Sequence, residues 1–126
     1  MIRELIEKYK LNFQNRVDED GEIDKFPETN IDQLTNLLYE WKAEDIDSNE
    51  HGLLADIDEA LTNQNSEIES GSTTVLILIY QNEVRFVGAW SEETYSISIP
   101  TQDFKEIVIG WRDFLLTPPL NGTKMS

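Results

Sequence analysis

Apolar residues recur at two different spacings along this chain, and the change comes near Ser72. Before it the spacing is helical. Ile2, Leu5, Ile6, Tyr9 and Phe13 stand three or four apart, which predicts an amphipathic helix over 2–13. A polar segment, QNRVDEDGEIDKFPETN (14–30), follows, with turns marked by Gly21 and Pro27. Asn30 suits the N-cap of a second helix carrying Ile31, Leu34, Leu38 and Trp41 on one stripe. DIDSNEHG interrupts that period. A third helix resumes with Leu53, Leu54, Ile57, Ala60 and Leu61, with Glu59 opposite the stripe and Asp56 and Asp58 on its flanks. NQNSEIESGS (63–72) has the composition of a linker.

After Ser72 the period falls to two. TTVLILIYQ, VRFVGAW and TYSISIP are rich in β-branched and aromatic residues, which predicts an antiparallel meander. Two-residue turns at Asn82-Glu83 and Glu92-Glu93 would put Val75, Ile77, Ile79, Phe86, Gly88, Trp90, Tyr95, Ile97 and Ile99 on one face. The other face would carry Leu76, Leu78, Tyr80, Arg85, Val87, Ala89, Ser96 and Ser98, and the N-terminal helices are expected to cover it. Left exposed, it would be a surface for a partner or for self-association. Pro100 and Thr101 open a last helix whose stripe is Phe104, Ile107, Val108, Trp111 and Leu115, and Pro118 and Pro119 stop it. The expectation is an α+β fold in which helices precede a meander and a C-terminal helix closes on the sheet. Residues 1–117 would form one globular domain, and 118–126 a flexible tail.

Composition narrows the possibilities. The chain has 126 residues, no cysteine and a formal charge of −15. Without cysteine there is no disulfide framework and no thiol chemistry. No apolar run is long enough for a membrane span, and MIRELIEKYK lacks the apolar core of a signal peptide, so a cytoplasmic protein is expected. The acidity is regional: 1–72 carries −13 and the rest −2. Such a field disfavours nucleic acid and anionic membrane as direct ligands, because both need clustered Lys and Arg. It suits a basic protein partner, although acidity for solubility alone is as ordinary an explanation.

The candidate chemistry is sparse. In DIDSNEHGLLAD (45–56), Asp45, Asp47, Asn49 and Asp56 fall at the first, third, fifth and twelfth positions of a calcium loop. The sixth position, which requires glycine, is Glu50, and Gly52 stands at the eighth, where a β-branched residue is usual. A hydrated acidic loop is the simpler reading, and no metal site is expected. His51 is the only histidine, and no G-x-S-x-G elbow or glycine-rich phosphate loop accompanies it. No catalytic residue or cofactor is therefore expected. Trp41, Trp90 and Trp111 read as core. The densest acidic window runs from Glu40 to Glu59, with eight acids and one lysine.

From VRFVGAW and TYSISIP into IPTQDFKEIVIGWRDFL, the chain resembles small immunity proteins encoded beside bacterial polymorphic toxins, including contact-dependent growth-inhibition systems. The resemblance covers Thr73 to Leu116 and rests on a strand, then I-P-x-x-[DE]-F-x-x-[IV], then W-x-x-F-L. It implies an antitoxin that acts by binding, with no catalytic residues to carry over. The implied partner is a cognate toxin domain, basic and of nuclease type, and the inhibitor itself a monomer or weak homodimer. Many such toxins have basic clefts, to which an acidic inhibitor would be steered. On charge density the expected contacts are Glu40, Glu44, Asp45, Asp47, Glu50, Asp56 and Glu59, with Tyr39 among the anchors. Two alternatives stay open: an acidic adaptor or self-associating domain, and a calcium-binding module using loop 45–56.

Overall fold

In a computed structural model, the structure describes residues 3–17, 19–47, 52–71, 75–88, 97–117 and 124–125. The fold is α+β, with two antiparallel sheets and five helices among these residues. Helix α1 (Arg3–Tyr9) leads into a hairpin of β1 (Asn12–Val17) and β2 (Ile23–Glu28). Three helices follow: α2 (Asp32–Tyr39), α3 (Ala43–Asp47) and α4 (Leu53–Thr62). Then come β3 (Ile68–Gly71), β4 (Val75–Ile79), β5 (Glu83–Gly88) and β6 (Ser98–Pro100), which pair in sequence order. Helix α5 (Thr101–Leu115) follows directly, and β7 (Lys124–Met125), within the stretch expected as a tail, pairs with Phe13 and Gln14 of β1. No helix among the described residues is long and apolar enough to cross a membrane.

The first helix is shorter than its period suggests. Lys10 adopts φ 53°, and the Leu11 N–H donates to Ile6 O at 3.0 Å. That is a Schellman C-cap with lysine at the left-handed position usually held by glycine. Beyond the cap, Leu11, Phe13 and Asn15 alternate inward as a strand, so Phe13 is not helical. The polar stretch 14–30 is the rest of this hairpin, turned near Gly21 at φ 82°. Pro27 is tolerated because β2 is an edge strand. Two further segments are ordered beyond expectation. Residues 43–47 of the interrupted period form α3, and residues 68–71 of the expected linker pair with β4.

The meander has the expected faces and a register displaced by two. Ile77 faces Phe86 and Ile79 faces Val84, so Gln81 and Asn82 make the turn, closed by the Tyr80 N–H donating to Glu83 O at 2.8 Å. A shift of two keeps every side chain on its face. Val75, Ile77, Ile79, Val84, Phe86 and Ile99 are all buried against the helices. The opposite face is not covered by the N-terminal helices. Leu76, Leu78 and Val87 are half-buried on it and lie outside the core cluster. Trp90, Tyr95, Ser96, Ala89 and the Glu92-Glu93 turn lie outside the described residues.

Helix α5 joins the two sheets. Its N-terminal end is pinned to the β4–β5 turn, where Thr101 Oγ1 donates to Tyr80 O at 2.6 Å. Phe104 meets Phe86 edge-on at 6.2 Å, while Trp111 and Phe114 pack on Phe13 of the hairpin at 5.1 and 6.2 Å. Phe114, rather than Leu115, completes the buried stripe. Asp103 accepts hydrogen bonds from Lys8 Nζ at 3.2 Å and the Tyr9 hydroxyl at 2.7 Å, clamping α1 to α5. Burial, reinforced by that carboxylate, pushes the Tyr9 hydroxyl above its ordinary pKa.

Candidate functional site

The acids expected as contacts fall into three groups. Glu44, Asp45 and Asp47 lie on α3 and are exposed; Asp56 and Glu59 lie on α4, half-buried and exposed in turn. Glu40 is the half-buried C-cap of α2. Glu50, with Asn49 and His51, lies outside the described residues. Helices α3 and α4 pack on each other and both pack on α5, so their acids share one helical layer.

Part of that charge serves the fold. Asp47 accepts from Arg112 Nη1 at 2.9 Å, tying α3 to α5, and Asp58 pairs with Lys105 at 2.7 Å, tying α4 to α5. The hydrogen bond to Asp47, and a second to Asp113, raise the Arg112 pKa. Asp45 accepts the Lys42 backbone N–H at 3.2 Å, closing the entry to α3. The first two positions of the calcium-like spacing are thus helical and hydrogen-bonded within the protein. Among the described residues no three His, Asp or Glu side chains gather as a metal site.

Beside α3 the structure opens a cleft of about 540 Å³ between β2, the α2–α3 junction and α5. Its apolar walls are Ile23, Tyr39, Trp41, Trp111 and Leu115. Its polar groups come from Asp24, Lys25 and Lys42. The Tyr39 hydroxyl donates to Asp24 Oδ2 at 2.5 Å, and its ring rests on Phe26 at 5.6 Å, fastening α2 to the hairpin. Lys25 is engaged within the fold. Its ammonium donates to Phe114 O at 2.6 Å, to Thr117 O at 2.5 Å and to Thr117 Oγ1 at 2.9 Å, at the C-terminal end of α5. Burial lowers its pKa, while the carbonyls and the helix dipole hold its charge in place.

The four exposed large apolar side chains among the described residues are Val17, Ile23, Tyr39 and Leu116, at 37–65% exposure. Ile23 and Tyr39 line the cleft. Val17 is the cross-strand partner of Ile23, and Leu116 follows Leu115. Two of these four side chains therefore line the cleft, and a third, Val17, pairs with one of them. Acids flank the cleft on both sides: Glu19, Asp20, Glu22 and Asp24 on the exposed hairpin tip, and Glu40, Glu44 and Asp45 around the α2–α3 junction. Sequence reasoning singled out Tyr39 and the second group. It missed the first because the hairpin itself went unrecognised, although VDEDGEID carries five acids in eight residues.

A scan against family models, and searches of curated proteins and of solved structures, found nothing that matches this chain.

Proposed function

We propose that this chain is an immunity-type inhibitor that neutralises a cognate bacterial toxin domain in the cytoplasm by stoichiometric binding through its acidic surface. The observation that carries the reading is the pairing of an exposed apolar cleft with carboxylates on both sides of it. Protein-binding patches have this anatomy: apolar and aromatic anchors at the centre, charge at the rim. The charge steers a basic domain to the surface, and the desolvated anchors hold it. Resemblance to toxin-immunity proteins over Thr73 to Leu116 supplies the biological setting. The partner is a basic toxin domain, of nuclease type in the simplest case.

The test is capture of the C-terminal domain encoded by the gene immediately upstream, with association rates measured at low and high salt. One-to-one capture is expected, with an association rate that falls steeply as salt rises. Reversing Glu44, Asp45 and Glu59 together to lysine is expected to slow association at least about tenfold at low salt and to flatten its salt dependence. Unchanged rates in that triple variant would remove the helical acids from the interface. Absence of any capture would remove the immunity reading itself.

A further inference from the structure

We infer that the cleft between β2, the α2–α3 junction and α5 seats a basic–apolar protein segment, an Arg or Lys adjoining an aliphatic or aromatic side chain. The walls fix the apolar half of this requirement. Tyr39 and Ile23 stand exposed at its mouth, and Trp41 and Leu115 are half-buried along it. Tyr and Trp offer large contact areas for few frozen torsions, which is why such side chains anchor protein segments.

The charge fixes the other half. Within two residues of the lining stand Glu22, Asp24, Glu40, Glu44, Asp45 and Asp113. The bases over the same span are Lys25, Lys42 and Arg112. Arg112 pairs with Asp47 and with Asp113 itself, which takes both Arg112 and Asp113 out of the balance, and Lys25 is held by the C-terminal carbonyls of α5, leaving Glu22, Asp24, Glu40, Glu44 and Asp45 against Lys25 and Lys42. The rim is thus net negative around an apolar floor, so an anionic occupant would be repelled and a purely apolar one would leave the rim unmatched. Trp111 lines the cleft at 1% exposure, so its indole reports on the cleft from beneath its surface.

This inference rests on the proposed function's reading of the same cleft as a protein-binding surface and names the chemistry of the segment it takes. The probe is the peptide acetyl-Lys-Leu-Arg-Leu-Lys-amide, set against an acidic twin with Glu in place of the cations and a glycine twin with Gly in place of Leu. Binding is read from the indole N–H signals of Trp41 and Trp111 in 15N-edited NMR spectra of the intact chain. The basic–apolar peptide is expected to shift both signals saturably, and each twin to bind at least about fivefold more weakly. Ile23→Ser and Tyr39→Ala are each expected to weaken binding by a similar factor. If Tyr39→Ala loosens the hairpin, Ile23→Ser reports independently, because its side chain is already 37% exposed. Equal binding of the acidic twin, or no shift of the two indoles, would overturn the inference. So would equal shifts with arginine amide alone, which would make the cleft a small-cation site. The two readings fail separately. Toxin capture undiminished by Ile23→Ser and Tyr39→Ala would sink the cleft and leave immunity standing, whereas peptide binding without toxin capture would do the reverse.

Discussion

Asn15 shows how one side chain hides an element. It points inward from β1 at 5% exposure, between buried Phe13 and exposed Val17, and neither its amide nitrogen nor its amide oxygen has a partner among the described residues. An apolar residue there would have completed the alternation Leu11, Phe13, 15, Val17 and announced a strand. The asparagine broke that period, and Phe13, four residues past Tyr9, extended the helical one instead. Lys10 completed the concealment, because a lysine is not the residue expected at a left-handed C-cap. The same residue yields a stability prediction. Burying unsatisfied polar atoms is costly, and a β-branched apolar side chain suits the site in both shape and propensity. Asn15→Val is expected to raise the urea midpoint, with a gain of about 1 kcal/mol and an unchanged slope. A lower midpoint would mean that the Asn15 amide makes bonds on which the hairpin depends.

At the scale of elements, what periodicity carries was legible and what long-range pairing carries was not. Helices α4 and α5 and the inner face of the meander follow from runs of apolar residues whose period is unbroken. Strand β3 has one large apolar residue, Ile68, and becomes a strand only because β4 offers it an edge. Helix α3 spans five residues, too few to show a period, and is held by Asp45 at its entry and by Arg112. The cleft lay beyond sequence reasoning for the same reason. Its residues come from β2, the α2–α3 junction and α5, and its existence depends on how the hairpin docks. Lys25 governs that docking. Opposite Asn15 on β2, it reaches the open carbonyls at the end of α5 and lies over the Phe114 ring at 4.8 Å. Lys25→Met keeps the aliphatic stem but removes three charge-assisted donors. It is expected to cost about 1–2 kcal/mol in chemical denaturation, since hydrogen bonds from a charged group contribute more than neutral ones. It should also raise the hydrogen-exchange rates of amides in β2 and the last turn of α5 more than those in β4. A uniform rise across the chain would show instead that hairpin and helix open only with the whole fold.

For the whole molecule, the charge has opposite consequences for folding and for binding. The formal charge is −15, and residues 1–72 hold −13 of it, with acids on the hairpin tip and the α3–α4 layer and others on α1, α2 and β3. The internal ion pairs that answer this charge, such as Lys8–Asp103 and Lys105–Asp58, are partly exposed and contribute modestly. A domain of this length has a radius of gyration of about 14 Å. At about 10 mM salt the Debye length is about 30 Å, so the acids repel across the molecule; at about 0.1 M it is about 10 Å, and only near neighbours interact. Raising NaCl over that range is therefore expected to raise the melting temperature by about 2–5 °C, because the compact state concentrates the repulsion. The same change should slow capture of a basic partner, since the field that strains the fold also steers the encounter. Measured together by calorimetry and stopped-flow association, the two responses should have opposite signs, and reversing Glu44, Asp45 and Glu59 should shrink both. A melting temperature that falls with salt would mean that the ion pairs outweigh the net repulsion. The acids would then be stabilising the fold as placed, and the case for their selection as a binding surface would lose its energetic basis.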